Sequence, residues 1–190
     1  TDSVCDGRIG ASDDVVGVAA RAEGQGRGAD DHGCEFLVHR LGVYLSSLGG
    51  MDTPIGRLGV VVKQGRVREV RFGGHSLDDD TVTQQLREYF AGDRKKFDVP
   101  LDLHGVTPFR AEVLRELSKV PYGETTTYAE LARAVGNPKA VRAVGSACAT
   151  NPLPILIPCH RVLRADGSLG GYRGGEAAKR FLLRLEGIDV

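Results

Sequence analysis

A cysteine and a histidine are adjacent near the C-terminal end of the chain, in the segment Ile-Pro-Cys-His-Arg-Val at residues 157–162. A thiol beside an imidazole can act as a nucleophile, because a thiolate forms when a base takes the thiol proton. The apolar run at 154–157 predicts a buried strand that Pro158 ends. Adjacent residues in an extended segment point to opposite sides, so we expect a water to connect His160 to the Cys159 sulfur.

The alternative for Cys159 is a plain core position, since free cysteine packs as a small hydrophobe. His160 and Arg161 argue against that alternative, because neither side chain is buried cheaply without a partner. We therefore expect the segment to emerge from the core at a functional site.

Three helices are predicted ahead of this segment. The first covers about 107–119 and opens with an N-cap threonine and a proline at its first position. Thr127 and Glu130 form a capping box that opens a short helix over 128–135, and an Asn-Pro pair caps the next helix, 139–150. Two short helices joined by a tight turn indicate a helix-turn-helix, although two helices that merely pack together would share this spacing.

Arg142 is the charged side chain in the middle of the last of these helices, whose other residues there are small. A helix that reads the major groove carries Arg, Asn or Gln at several positions to meet base edges, and this one does not. A minor-groove approach, with Arg142 inserted into the base stack, fits these residues better.

The N-terminal part of the chain has a different pattern. Short strands are expected at 43–48 and on both sides of the Gln64-Gly65 turn, which predicts an antiparallel meander. A helix should follow, opened by the aspartates at 78–80 and ended by Gly92. Residues 1–40 show little periodicity, and we expect them to be a disordered tail.

Length and composition are those of an ordinary globular protein, with 190 residues of which 41% are hydrophobic. No apolar run approaches the roughly 18 residues that span a bilayer. Four irregularly spaced cysteines indicate neither a disulfide framework nor a zinc finger. The net charge is −4 for residues 1–50, +1 for 51–100 and +3 for 101–190, which is weak support for a polyanionic partner. We expect a cytoplasmic protein of bacterial type without a membrane partner.

Five segments follow one another along the C-terminal half: TTYAELA at 126–132, GNPKAVRAVG at 136–145, NPLPILIPCHRV at 151–162, GGYRGG at 170–175 and LLRLEG at 182–187. Together they resemble the O6-alkylguanine-DNA alkyltransferases, also called methylated-DNA–protein-cysteine methyltransferases. The resemblance runs from about Val43 to Ile188. It implies DNA repair by direct reversal, in which the alkyl group of O6-alkylguanine, or of O4-alkylthymine, passes irreversibly to one cysteine of the protein. Such proteins act once and need no metal or organic cofactor.

The resemblance also implies a fold and a partner. The fold class would be α+β, with a small RNase H-like domain built on an antiparallel sheet at 41–100. A mainly helical domain at 101–190 would contain the helix-turn-helix. The partner would be double-stranded DNA with alkylated bases, bound through the minor groove by a monomer that flips the damaged base out of the stack.

Site residues follow from their positions in the five segments. Cys159 would accept the alkyl group, and a hydrogen-bonded chain would run from Glu186 through His160 and a water to the thiol. Asn151 would brace the turn before the cysteine, and Tyr128 would contact the phosphate of the lesion and donate toward a guanine ring nitrogen. The resemblance also gives a DNA-binding set, of which Arg142 is the finger, and a substrate pocket: Arg142, Val141, Gly145 and Ser146; Pro154, Val162, Tyr172, Arg173 and Gly174.

The sequence departs from the family pattern at a few positions. Arg173 stands where several relatives have a small residue, so its side chain could alter access to the pocket. Lys63 and Arg68 stand where some relatives have zinc ligands, so no metal is expected. Three rival functions remain: a lesion-binding protein without a nucleophile, against which Cys159 argues; a transcription activator, which would need a cysteine-rich zinc module; and a cysteine hydrolase, which would turn over repeatedly.

Overall fold

The structure is a computed structural model and describes residues 50–74 and 80–190. Within these ranges the chain is mixed α/β, with a three-stranded antiparallel sheet, a two-stranded parallel pair and five α-helices. The tail expected at 1–40 and the strand expected at 43–48 lie outside the described residues, as do the first two aspartates of the expected helix start.

The three-stranded sheet contains β1 (Met51–Thr53), β2 (Gly56–Lys63) and β3 (Arg66–Phe72), in that spatial order. Both neighbouring pairs are antiparallel. Gln64 and Gly65 have positive φ angles of 52° and 70°, which suits a tight two-residue turn between β2 and β3. The predicted meander is confirmed for the described strands.

Helix α1 (Asp80–Ala91) follows the sheet and buries one face. Val82, Leu86 and Tyr89 recur at intervals of three or four residues and are nearly or fully buried, as expected of an amphipathic helix packed on a core. Gly92, with φ of 85°, follows the helix in the left-handed conformation that glycine adopts without strain. The helix end predicted from this glycine is confirmed.

Four further helices and a parallel strand pair make up the rest of the described chain. They are α2 (Pro108–Leu117), α3 (Tyr128–Ala134), α4 (Val141–Ala149), α5 (Gly175–Leu185), β4 (Thr126–Thr127) and β5 (Val162–Leu163). A 3-10 turn, Cys159–Arg161, directly precedes β5. Because β4 pairs with β5, the start of α3 lies beside the segment that carries the cysteine.

A predicted helix start is found where the capping residues are close to each other in sequence. Thr127 Oγ1 accepts from the Glu130 N–H at 3.2 Å, and the Glu130 carboxylate accepts from the Thr127 N–H at 2.7 Å, which is the predicted capping box. The expected start of α4 is wrong, because that helix begins at Val141 with Ala140 as its N-cap. The Ala140 N–H instead donates to the Asn137 oxygen in a turn.

Helix α2 also departs from the expected capping. Thr107 occupies the N-cap position, but its side chain makes no capping hydrogen bond. The helix ends at Leu117, two residues before the expected end, and the Ser118 N–H closes it by donating to the Leu114 oxygen.

The strand expected at 154–157 is not present. Pro154 and Ile157 face each other in an isolated bridge, and Ile155 between them has a φ of 74°. A proline has no N–H to give to a sheet, so prolines on both sides of this run favour a turn over a strand. The expected burial is nevertheless found, since Ile155, Leu156 and Ile157 are at most 7% exposed.

One hydrophobic cluster joins the sheet and α1 to the later helices. Backbone contacts connect the same parts: Val67 bridges to Leu101, and the Val70 N–H donates to the Pro152 oxygen at 2.8 Å. Strand β3 therefore lies beside the turn that leads to Cys159. No helix within residues 50–74 and 80–190 is long and apolar enough to cross a membrane.

Candidate active site

Cys159 opens the 3-10 turn and is 3% exposed. Its sulfur accepts a hydrogen bond from Asn151 Nδ2 at 3.2 Å. The same nitrogen donates to the Ile157 oxygen at 2.9 Å, and Asn151 Oδ1 accepts from the Leu153 N–H at 3.0 Å. Asn151 thus braces the turn at 151–159 and holds the thiol against it.

His160 is fully buried, and its Nε2 lies 2.9 Å from Glu186 Oε1. A carboxylate can only accept, so Nε2 carries the proton and Nδ1 is left as an acceptor. Nδ1 is buried and has no hydrogen-bond partner within the described part of the chain. Glu186 therefore fixes the tautomer of the imidazole and leaves one nitrogen able to take a proton.

Glu186 follows the last turn of α5, and its carboxylate accepts several hydrogen bonds. Oε1 accepts from the Tyr89 hydroxyl at 2.6 Å, from His160 Nε2 and from Arg161 Nη2 at 2.8 Å, and Oε2 accepts from Arg161 Nε at 2.8 Å. Burial alone would raise the pKa of Glu186, but the hydrogen bonds from His160, Arg161 and Tyr89 outweigh it and lower the pKa to about 2. The carboxylate is therefore charged at neutral pH.

Lys179 lies on the inner face of α5 and is fully buried. Its ammonium group donates to the Val162 oxygen at 2.6 Å and to the Gly170 oxygen at 3.4 Å. Burial lowers the pKa of Lys179 to about 8, with the nearby thiols of Cys159 and Cys148 acting in the opposite direction. The amine is a positive charge close to the sulfur at neutral pH.

The resting charge states of the thiol and the imidazole follow from burial. Burial raises the pKa of Cys159, while the Asn151 hydrogen bond and the Lys179 charge oppose the increase. Burial lowers the pKa of His160, and Glu186 opposes the decrease. Both groups are thus neutral at rest, and a thiolate forms only when a base removes the thiol proton.

Tyr128 is the first residue of α3 and packs between two glycines. A Cβ at Gly145 of α4 would lie 3.9 Å from the Tyr128 ring, whereas a Cβ at Gly170 would overlap its hydroxyl end. Burial raises the pKa of Tyr128, and the neighbouring thiols of Cys148 and Cys159 raise it further. The hydroxyl is therefore a protonated donor on the Cys159 side of the helix pair.

The loop at 170–174 also contacts residues of the site. The Tyr172 ring lies edge-on to His160, with centroids 6.4 Å apart, and edge-on to Phe72 of β3 at 5.8 Å. A Cβ at Gly174 would come within 2.7 Å of the Phe72 ring, so glycine permits this close approach. Arg173 is exposed, within electrostatic reach of the thiol.

The residues expected at the DNA interface lie along α4. Val141, Arg142 and Ser146 are exposed, and Gly145 is half-buried against Tyr128. Arg142 makes no hydrogen bond or ion pair with residues in the described ranges. The side chain is therefore available to a partner.

Apart from Tyr128, which lies between α4 and the loop at 170–174, the sequence-predicted residues divide into three groups. Asn151, Cys159, His160 and Glu186 are joined by two direct hydrogen-bonded pairs. The expected pocket residues Pro154 and Val162 are buried, whereas the other three lie in the loop at 170–174. The DNA set lies on α4, where Gly145 packs against Tyr128. In the described chain, no three His, Cys, Asp or Glu side chains are grouped to hold a metal ion.

Known proteins share this arrangement of sequence and fold. A family model described as the 6-O-methylguanine DNA methyltransferase DNA-binding domain matches residues 108–188. The constitutive methylated-DNA–protein-cysteine methyltransferase of Bacillus subtilis is 42% identical over 155 residues, which is 73% of this chain and 93% of the relative. A methylated-DNA–protein-cysteine methyltransferase of Methanosarcina acetivorans is 53% identical over 106 residues, or 56% of this chain and 67% of the relative.

A solved structure agrees with these relatives over both parts of the fold. The crystal structure of Mycobacterium tuberculosis OGT in complex with DNA superposes with a TM-score of 0.68 at 41% identity, covering 73% of this chain and 92% of that chain. The chain belongs to the O6-alkylguanine-DNA alkyltransferase family. The part matched by the alkyltransferase family model runs from α2 through α5 and includes Cys159, His160 and Glu186.

Three residues close to Cys159 and Glu186 are not predicted by the sequence. Tyr89 lies on α1, and nothing in the neighbouring sequence predicts a role in the site. An aromatic residue on the apolar face of a helix is normally interpreted as a core residue. Arg161 stands in the cysteine motif but was not given a partner. Lys179 does carry a signal, since it lies on the buried face of α5 with Leu182 and Leu183, where a lysine is rarely buried without a reason.

Proposed function

We propose that this protein repairs DNA by transferring the alkyl group of O6-alkylguanine to the sulfur of Cys159. The observation that carries the proposal is a buried thiol held by Asn151 beside an imidazole whose Nε2 bonds Glu186 and whose Nδ1 has no partner in residues 50–74 and 80–190. Relatives named methylated-DNA–protein-cysteine methyltransferases support the same reaction.

The chemical step is a displacement at the alkyl carbon. His160 Nδ1 takes the thiol proton through a bridging water, and the imidazolium that results is stabilised by the Glu186 carboxylate. The thiolate attacks the alkyl carbon, a carbon–sulfur bond forms, and the carbon–O6 bond breaks. Guanine leaves with the bonding electron pair. The product is a thioether, and the proposed reaction has no step that removes the alkyl group from it. Each molecule therefore acts once.

Tyr128 is proposed to help the guanine leave. Its hydroxyl is protonated, lies on the Cys159 side of the helix pair, and can donate to a guanine ring nitrogen as negative charge develops. The phosphate contact expected of Tyr128 belongs to the same proposal. Lys179 adds a positive charge that favours the thiolate, since it lies near the sulfur without a carboxylate partner in the described chain.

The damaged base is proposed to reach Cys159 by flipping out of the duplex. Helices α3 and α4, joined by a short turn at Gly136, would form the helix-turn-helix that enters the minor groove, and the exposed Arg142 would take the place of the base. The small and exposed surface of α4 supports a close backbone approach. Tyr172, Arg173 and Gly174 would form the pocket wall, with Pro154 and Val162 beneath it.

The wider organisation is part of the same proposal. We place an RNase H-like domain at 41–100 and the DNA-binding and acceptor domain at 101–190, which the antiparallel sheet followed by α1 supports. The protein would act as a monomer in the cytoplasm, and O4-alkylthymine would be a second substrate. No metal or organic cofactor enters the reaction.

The test is a mass measurement on peptides. The protein is incubated with a duplex that carries one O6-methylguanine, digested and analysed; the peptide containing Cys159 should gain one methyl group per protein molecule. Cys148→Ala should still accept the methyl group, because burial raises the pKa of that thiol to about 12, and Cys159→Ala should not. Methyl on Cys148, or repeated turnover by one molecule, would contradict the proposal.

A further inference from the structure

Tyr89 links the N-terminal part of the chain to the alkyl-transfer site. The residue lies on α1, is fully buried, and donates its hydroxyl to Glu186 Oε1 at 2.6 Å. The same hydroxyl oxygen is 3.5 Å from His160 Nε2. No other residue of the sheet or of α1 within the described ranges has a hydrogen bond to this carboxylate.

We propose that Tyr89 is a positioning residue for alkyl transfer, which holds Glu186 and withdraws part of its negative charge so that His160 remains a neutral base. The inference rests on the proposed function. Its physical basis is that Tyr89 and His160 donate to one oxygen atom. A carboxylate oxygen that already accepts a short hydrogen bond is a weaker partner for each further donor.

The balance at His160 depends on Glu186 because the other charged neighbours oppose protonation. Arg161, beside it in the 3-10 turn, and Lys179 of α5 are cations and disfavour an imidazolium. Cys159 and the edge-on Tyr172 are neutral at rest, and the Tyr172 hydroxyl has no hydrogen-bond partner among the residues that the structure describes. The Glu186 carboxylate is thus the one neighbour in the described chain that favours the charged ring.

The direction of the effect can be derived for Tyr89→Phe. Without the hydroxyl, Oε1 has one donor fewer and more negative charge is available to His160 Nε2. The imidazolium is then more stable, so His160 binds its proton at a higher pH than in the wild type. A protonated Nδ1 cannot accept the thiol proton. The acid limb of the transfer rate should therefore move to higher pH.

The experiment measures the single-turnover rate of methyl transfer from an O6-methylguanine duplex between pH 5 and 8. For Tyr89→Phe we expect the midpoint of the acid limb to rise by about half a pH unit. This shift corresponds to a fraction of the free energy of one charge-assisted hydrogen bond. The matched control is Tyr122→Phe. That hydroxyl donates to the Leu185 oxygen at 2.7 Å, and the two tyrosine rings are in edge contact at 6.2 Å. The control should keep the wild-type midpoint.

A second readout does not depend on alkyl transfer. The ring nitrogens of His160 are followed by NMR over the same pH range, and the titration midpoint should rise in Tyr89→Phe alone. A midpoint is insensitive to the fraction of folded protein, unlike a rate. If the wild type transferred no methyl group, the proposed function would fail while this titration still decided the effect of Tyr89. An unchanged His160 titration, or equal shifts in both variants, overturns the inference.

Discussion

The Glu186 carboxylate determines the properties of its neighbours more than any other single group in the site. It is fully buried, and it pairs with Arg161, whose side chain is 7% exposed. Two charges removed from water are costly unless their hydrogen bonds are satisfied. Here Arg161 is satisfied by both carboxylate oxygens and by the Val120 oxygen. One substitution at Glu186 therefore tests both stability and catalysis.

Glu186→Gln should lower the free energy of unfolding by about 3–5 kcal/mol, because Arg161 keeps a buried charge without its counter-ion. It should also slow methyl transfer by about 100-fold, because the imidazolium loses its stabilising charge. Glu176→Gln is the matched control, since Glu176 is 70% exposed and pairs with Arg180 on the same helix; that change should cost less than about 1 kcal/mol. Urea unfolding and single-turnover kinetics measure both effects. Similar losses in the two variants would contradict the argument.

The sequence was informative about residues whose chemistry is unusual for their position. Cys159 and His160 are unusual because a thiol and an imidazole follow an apolar run, and the family motifs add Glu186 and Asn151. Tyr89 could not be found in this way. Its hydroxyl acts at a carboxylate 97 positions away in sequence, and no local pattern distinguishes it from a core aromatic residue.

Two elements near the thiol pack on each other: α3, which begins at Tyr128, and the loop at 170–174. Their distance is set by glycine, because a Cβ at Gly170 would overlap the Tyr128 ring. Gly171 has nothing within 4 Å of the position of its missing Cβ. Neither glycine has the left-handed φ that strains other residues, so the two positions differ in space and not in backbone conformation.

Gly170→Ala should therefore destabilise the protein by about 1–3 kcal/mol, as expected when a packed contact is overfilled. It should also slow methyl transfer, because Tyr128 must move from its place beside Cys159. Gly171→Ala should leave both quantities near their wild-type values. Thermal unfolding and transfer rates provide the comparison. If the two alanine variants behaved alike, close packing of Tyr128 on the loop would not be what positions it.

Element boundaries were predictable where the deciding contacts are local. The capping box of Thr127 and Glu130 spans three residues, so the sequence contains the whole interaction. The apolar run at 154–157 predicts a strand, but apolar residues are compatible with both a strand and a buried turn. Asn151 decides between them by bonding the Ile157 oxygen, a contact that the hydrophobic pattern does not contain.

At the scale of the whole molecule, the two parts that the sequence separates near residue 100 share a core. The Val70 N–H donates to the Pro152 oxygen, Phe72 contacts Tyr172, and Tyr89 reaches Glu186. These contacts were not predictable, because each one joins segments more than 80 residues apart. They suggest that the two parts unfold together, although the family resemblance implies two domains.

A destabilising substitution in one part should therefore also lower the hydrogen-exchange protection of the other part. Leu86 of α1 is fully buried, and Leu86→Ala should lower the free energy of unfolding by about 2–5 kcal/mol. Native-state hydrogen exchange at low urea measures this loss at single amides. If the core is one cooperative unit, the amide of Val144 in α4, which bonds the Ala140 oxygen, should lose as much protection as the amide of Val60 in β2.

The control for this experiment is Arg87→Ala, one position further along the same helix and exposed, which should change protection by no more than about 0.5 kcal/mol. Reduced protection at Val60 with unchanged protection at Val144 would contradict shared unfolding. The N-terminal part would then open on its own and withdraw Tyr89 from Glu186 without unfolding the helices. The equal loss that we expect instead means that His160 keeps its hydrogen-bonded neighbours for as long as the molecule is folded.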